Sequence, residues 1–176
     1  MTVTIPTLET ERLLLRANQA ADLPAFEAMW QNPDFYRFLG GQPLPRPEVW
    51  TKMLRSLGMW HLMGYGYWGV EEKSSGQFIG GVGFAEWQRD ITPSLAGFPE
   101  AGWVLAPHAH GRGYGTEAMR ALMAWGDAHL PERRTVCLID HTNAPSLRLA
   151  AKLGYQEFAR SLYHEALVVL LERHSA

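Results

Sequence analysis

The sequence predicts a single α/β (α+β) domain, on three observations. Short apolar runs of strand type alternate with longer segments of helical periodicity, so strands and helices share one layered core. The 176 residues are 47% hydrophobic and 19% charged with no low-complexity tract, enough to bury one sizeable core. No linker-like stretch and no internal repeat interrupts residues 1–176, which therefore read as one unit.

The elements follow in order. Residues 11–16 form a first strand, and Asp22 opens a helix that carries Leu23, Phe26 and Trp30 at helical spacing until Asn32-Pro33 stops it. A second helix is expected from residue 47 to about 61, with Pro47 in its first turn and Val49, Met53, Leu54 and Leu57 on its inner face. Gly58 marks its end. Residues 65–71 and 77–87 make a hairpin about the turn Lys73-Ser74-Ser75-Gly76. A polar, proline-bearing loop over 88–99 leads into a strand at 101–105. The helix expected over 116–130 carries Met119, Leu122, Met123, Gly126 and Leu130 on one face, and Pro131 stops it. Residues 135–139 are a short apolar strand of the kind buried on both faces. Asn143 caps a helix over 144–153 that has Pro145 in its first turn and Gly154 just past its end. Strands at 155–160 and 166–172 finish the order.

A net charge of −2 gives no sign of a nucleic-acid binder or an anionic-membrane binder, and neither is expected. The first residues lack a basic segment followed by an apolar one, and the longest aliphatic run, residues 166–171, is too short to span a bilayer. A cytoplasmic protein is expected, as a monomer or homodimer. Cys137 is the only cysteine and lies in the run Val136-Cys137-Leu138-Ile139, so it reads as a buried strand residue and not as a nucleophile.

Between the strand at 101–105 and the next helix stands Ala106-Pro107-His108-Ala109-His110-Gly111-Arg112-Gly113-Tyr114-Gly115-Thr116. Alternate glycines let the backbone approach a ligand without Cβ obstruction, and a helix start leaves its first amides unpaired, which together make an anion cradle suited to a pyrophosphate. The spacing is neither G-x-G-x-x-G nor a P-loop with its Lys-Ser/Thr pair, so a nucleotide-bearing cofactor other than NAD or ATP is implied. The plainer alternative is a glycine turn that only starts a helix.

This loop resembles the acyl-coenzyme A loop of the GNAT superfamily of N-acetyltransferases, Gln/Arg-x-x-Gly-x-Gly/Ala, with Gly113 and Gly115 on its last two fixed positions. Four further segments are similar, in the same order, to the ribosomal-protein alanine N-acetyltransferase (Rim-type) branch: Thr10-Glu11-Arg12-Leu13-Leu14-Leu15-Arg16, Phe78-Ile79-Gly80-Gly81-Val82-Gly83-Phe84, Glu100-Ala101-Gly102-Trp103-Val104-Leu105, and Asn143-Ala144-Pro145-Ser146 with Lys152-Leu153-Gly154-Tyr155. The resemblance implies a mixed central sheet with helices on both faces and a splayed strand pair that forms the acyl-CoA cleft. It implies acetyl-CoA as cofactor and a primary amine, on a protein N-terminus or a small molecule, as acceptor.

Carried onto this sequence, the resemblance implies that the backbone of Trp103, Val104 and Leu105 binds the pantetheine arm. Gly111, Arg112, Gly113, Tyr114, Gly115 and Thr116 would hold the pyrophosphate. Asn143 matches the family's cofactor-contacting Asn and is equally a helix cap. Attack on a thioester needs a neutral amine, and at pH 7 roughly one α-amine in ten is neutral against roughly one lysine in two thousand. Glu100 matches the glutamate that draws the amine proton, directly or through water; the alternative is a solvated charge at a strand end. Many superfamily members carry a Tyr seven residues after the Asn, where this chain has Ala150, so Ser146 becomes the hydroxyl that meets the departing thiolate or, alternatively, an extra helix cap.

His110 stands where the loop begins with Gln or Arg, which the cradle survives because its donors are backbone amides. His108 and His110 have no accompanying Cys or carboxylate cluster, and no metal is expected. Of the seven tryptophans, Trp60, Trp68, Trp87 and Trp103, with Phe98, come from segments expected to border the acyl end of the cleft. Trp87 and Phe98 flank the polar loop and would form an apolar rim to the acceptor site, with Glu86 and Asp90 beside them as attractors of an ammonium group or as solvated charges. No Ser-His-Asp set appears, so direct transfer in a ternary complex is expected. A non-catalytic acyl-CoA-binding module is the alternative that Ala150 leaves open.

Overall fold

The computed structural model describes residues 4–175. In chain order its elements are β1 (Leu8–Glu9), β2 (Leu13–Arg16), α1 (Leu23–Trp30), α2 (Pro33–Tyr36), α3 (Arg46–Met63), β3 (Tyr67–Glu72), β4 (Gln77–Ala85), β5 (Glu100–Leu105), α4 (Tyr114–His129), β6 (Arg134–Asp140), α5 (Ala144–Lys152), β7 (Gln156–Tyr163) and β8 (Ala166–His174). The eight strands form one mixed sheet in the order β1-β2-β3-β4-β5-β6-β8-β7, antiparallel except where β5 meets β6.

That exception positions everything else. β4 and β5 are in register along their whole shared length, from Gly80↔Leu105 to Ala85↔Glu100, whereas β5 and β6 pair only at Glu100↔Val136. Beyond that point the two parallel strands diverge. The backbone of β5 from Ala101 onward therefore lacks a partner on its β6 side, and the sheet opens into a wedge toward the glycine turn.

Strand alternation sends Ala101, Trp103 and Leu105 to one face of β5 and Glu100, Gly102 and Val104 to the other. On the first face Ala101 and Leu105 join Val82, Phe84, Met119, Leu122 and Ala150 in the main core, built on α4 and α5. On the second face Val104 packs with Met29, Trp30, Phe35 and Val49 from α1, α2 and α3. The helices thus cover both faces, as expected.

Helix α3 departs from its predicted end. It runs through Gly58 and stops at Gly64, whose φ of 75° supplies the left-handed cap. The reason is tertiary: Val49, Met53 and Trp60 lie on one stripe, and Trp60 packs edge-on against Trp68 and Trp125, so burial beyond Gly58 outweighs the glycine's propensity cost of about 1 kcal/mol. Leu54 and Leu57, expected on the inner face, are exposed on the adjacent stripe. Helix α4 begins two residues earlier than expected, inside the glycine turn. No helix among the described residues is long and apolar enough to cross a membrane.

Candidate active site

At the wide end of the wedge, Gly111 (φ 73°) and Gly113 (φ 80°) hold left-handed conformations that L side chains rarely adopt. Gly113 is the N-cap of α4 and no side chain caps the helix; its first intrahelical bond is Glu117 N–H to the Gly113 carbonyl at 3.1 Å. The amides of Tyr114, Gly115 and Thr116 precede that bond and are free for an anion. A Cβ on Gly111 would meet nothing within 4 Å, so the loop's outer side is open. These features fit a pyrophosphate.

The side chains of the loop are otherwise engaged. The Tyr114 ring is buried and its hydroxyl donates to Glu72, which also pairs with Arg112 at 2.8 Å. Arg12 stacks over the Tyr114 ring, bonds Glu117 at 2.7 Å and donates to the Arg112 carbonyl at 2.9 Å. Glu117 also accepts from Thr10 Oγ1 and the Arg12 amide. Burial works against its charge, but these bonds overrule it and hold the carboxyl below its ordinary value. Arg12 thus latches the β1–β2 turn to the cradle, a tie that spans about a hundred residues of sequence. His110, in place of Gln or Arg, bonds the Leu105 carbonyl at 2.9 Å through its ring.

Across the wedge, the Trp103 indole N–H donates to Ser146 Oγ at 3.2 Å, and the Asn143 side chain caps α5 by accepting from the Ser146 N–H at 3.3 Å. Ala150 has no exposed surface and packs in the main core.

Glu100, on the opposite face of β5, is 7% exposed. Arg89 from the β4–β5 loop grips its carboxylate with two bonds of 2.7 and 2.8 Å. Burial pushes the Glu100 carboxyl above its ordinary value, and Arg89 opposes that push. Arg89 lies over the Tyr163 ring at 5.0 Å and beside Trp87, which Arg55 of α3 covers at 4.8 Å. Trp87 in turn touches Tyr67, ring centroids 6.0 Å apart. Glu100, Arg89, Trp87, Arg55, Tyr67 and Tyr163 are one connected cluster.

Tyr67 is the residue sequence reasoning missed. Register sets Tyr67 opposite Gly83 and Gly83 opposite Gly102, so the ring lies across a row without side chains. A Cβ on Gly102 would fall 1.9 Å from the Tyr67 hydroxyl, which marks where that hydroxyl rests: on β5, two residues from Glu100 and on its face. Burial, then the charge of Glu100, push the phenol well above its ordinary value, against Arg89.

Other expectations resolve differently. Trp60 and Trp68 are buried in the main core and do not border the cleft, because their rings close a cluster with Trp125. Phe98 is not with Trp87; it packs in a third cluster near Ile91, Leu95 and Val136, with Arg134 over its ring at 4.2 Å. Glu86 accepts the Gly97 amide at 2.6 Å and the Gln88 amide at 3.2 Å. Cys137 is buried and its thiol is held well above its ordinary value by that burial. No three His, Cys, Asp or Glu side chains are grouped for a metal among the described residues.

Splayed strands, an uncapped glycine cradle at the mouth and a hydroxyl on the facing helix are the architecture of an acyl-CoA-using transferase. The chain matches the acetyltransferase (GNAT) domain family over residues 12–156 and belongs to it, in the RimJ/RimL-type branch. It is an acetyl-CoA-dependent N-acetyltransferase. A Bordetella pertussis protein described as a GnaT-family acetyltransferase is 32% identical and superposes with a TM-score of 0.85, over 96% of this chain and 99% of that one. The uncharacterized N-acetyltransferase YoaA of Bacillus subtilis is 26% identical over 153 residues, 86% of this chain and 84% of YoaA. RimL, a ribosomal L7/L12 alpha-N-protein acetyltransferase solved in complex with coenzyme A, shares the fold at a TM-score of 0.76 with 16% identity, over 96% of this chain and 98% of RimL.

Proposed function

We propose that the chain transfers the acetyl group directly to a primary amine in a ternary complex, with Glu100 and Ser146 on opposite sides of the thioester. The observation that carries this reading is the single Glu100↔Val136 pairing, after which β5 offers an unpartnered backbone edge leading to the cradle. Acetyl-CoA, when bound, supplies a thioester carbon open to attack and a thiolate leaving group. Trp103, Val104 and Leu105 would hold the pantetheine arm along the open edge of β5, where the Leu105 carbonyl is already engaged by the His110 ring. Gly111, Arg112, Gly113, Tyr114, Gly115 and Thr116 would hold the pyrophosphate through backbone amides, and Asn143 would touch the arm beside its capping bond.

The acceptor nitrogen attacks the acyl carbon, the carbon–sulfur bond breaks, and the ammonium proton must leave. Glu100 takes it, directly or through one water, on lone pairs that Arg89 leaves free; burial raises its basicity for that task and Arg89 opposes that rise. The Ser146 Oγ accepts from Trp103, which leaves the Ser146 O–H free to donate, and a departing thiolate would be its acceptor. Little assistance is needed there, because a thiol of pKa near 8.5 is a good leaving group. Trp87 lines the acceptor side.

The test is thiol release from acetyl-CoA in the presence of primary amines, with Glu100→Gln beside the parent. The variant should lose more turnover at pH 7 than at pH 9, since neutral amine becomes available without a base as pH rises. Equal loss at both pH values would sink the base role.

A further inference from the structure

We infer that the amine acceptor carries a carboxylate, held by Arg55 with Lys52 beside it: a small molecule of amino-acid type. This rests on the transferase reading and specifies its acceptor. The acceptor face of the cluster holds three cations, Lys52, Arg55 and Arg89, and their charge is unevenly spent. Arg89 has committed its fork to Glu100. Arg55 and Lys52 form no salt bridge among the described residues; their neighbours are aromatic, Arg55 over Trp87 at 4.8 Å and Lys52 over Trp30 at 5.0 Å.

The acidic groups nearby do not neutralise them. Glu86 is tied to the Gly97 and Gln88 amides, and Glu48 stands one turn before Lys52 on an exposed position of α3. Lys52 is itself held below its ordinary basicity, chiefly by burial and next by Arg55, with Glu48 opposing and Arg89 adding. An unpaired guanidinium on an indole is a preorganised seat for a carboxylate, which it can meet with two parallel bonds. A polyamine entering the same face would bring cations against cations. With the anion at Arg55, Trp87 lies between it and the Tyr67 and Glu100 side of the cluster, so the amine placed toward Glu100 is one several bonds from the carboxylate.

The experiment compares amino acids with their carboxamides, and spermidine, binding to the full chain by calorimetry at saturating coenzyme A. At least one acid should bind about tenfold to a hundredfold tighter than its amide, the scale of a charge-assisted pair lost or kept. Arg55→Gln should collapse that ratio toward one, and Arg55→Lys should keep part of it. Equal binding of acid and amide, tighter binding of spermidine, no binding by any acid, or an unchanged ratio in Arg55→Gln would each overturn the inference. Thiol release on the same panel is scored separately: an intact acid preference in binding with no release would sink direct transfer to these amines and leave the carboxylate seat standing. The amide amine is the less basic of the pair, so a turnover preference for the acid would run against intrinsic reactivity.

Discussion

Replacing Arg89 by Met isolates the electrostatics of Glu100. The carboxylate is 7% exposed and both its oxygens face the Arg89 fork, so the substitution leaves a buried charge without its partner. Breaking such a pair costs about 3–5 kcal/mol, but a carboxyl can escape part of that by binding a proton. Glu100 already sits above its ordinary pKa through burial, with Arg89 pulling the other way, and removing Arg89 raises it further. In the variant the folded state then binds more protons than the unfolded state from the ordinary carboxylate range upward. Stability must fall as pH rises through that window, at no more than about 1.4 kcal/mol per pH unit for one group. At pH 8 the loss should approach about 3 kcal/mol, or about 6–12 °C in Tm for a chain of this size, and most of it should return by pH 5. Thermal and urea denaturation from pH 5 to 8 measure this, with Arg89→Met,Glu100→Gln as the control that has no carboxyl to titrate. The double variant should lack the Arg89→Met pH dependence. If Arg89→Met loses the same stability at pH 5 as at pH 8, the pair is not what holds Glu100 ionised.

Three further outcomes are expected. Coenzyme A at 100 times its Kd should stabilise the parent by about 2.7 kcal/mol, and Gly113→Leu, which forces a side chain into a φ of 80°, should abolish the thermal shift; a retained shift would refute the cradle. Gly102→Ala should cost about 1–3 kcal/mol or displace Tyr67, and less when combined with Tyr67→Phe, read by denaturation as a double-mutant cycle. Ser146→Ala should lower kcat by about tenfold to a hundredfold with acetyl-CoA affinity unchanged, and a titration showing lost affinity in step with kcat would sink the acid role.

What the sequence disclosed of the fold and site follows from how local each feature is. Gly113, Gly154 and Asn143 were readable because a left-handed turn or a cap is decided within about four residues. The end of α3 was not: Gly58 and Gly64 are both plausible stops, and only the contact of Trp60 with Trp68 and Trp125 chooses between them. The inner face of that helix is legible only in part for a related reason: Val49 and Met53 are buried as expected, but Trp50-Leu54-Leu57 is also an apolar stripe and burial selects Val49-Met53-Trp60 over it. Glu100 is singled out by the family resemblance alone, and its grip by Arg89 crosses an irregular loop that carries no periodicity to read.

Tyr67 is the more instructive omission, because its determinants are glycines. Gly83 and Gly102 look like weak points in two strands, costing entropy and packing nothing. The register makes them a floor: Tyr67 opposite Gly83, and Gly83 opposite Gly102, leave a lane one ring wide running from β3 to the open edge of β5. The same absence of side chains that weakens β4 and β5 lets a phenol from two strands away reach the strand that carries Glu100. A Cβ at Gly83 would fall 2.5 Å from the Tyr67 Cα and 2.7 Å from its ring, so the lane is closed by any residue but glycine at either step. Gly83 and Gly102 are therefore what lets the Tyr67 ring cross β4 and rest on β5.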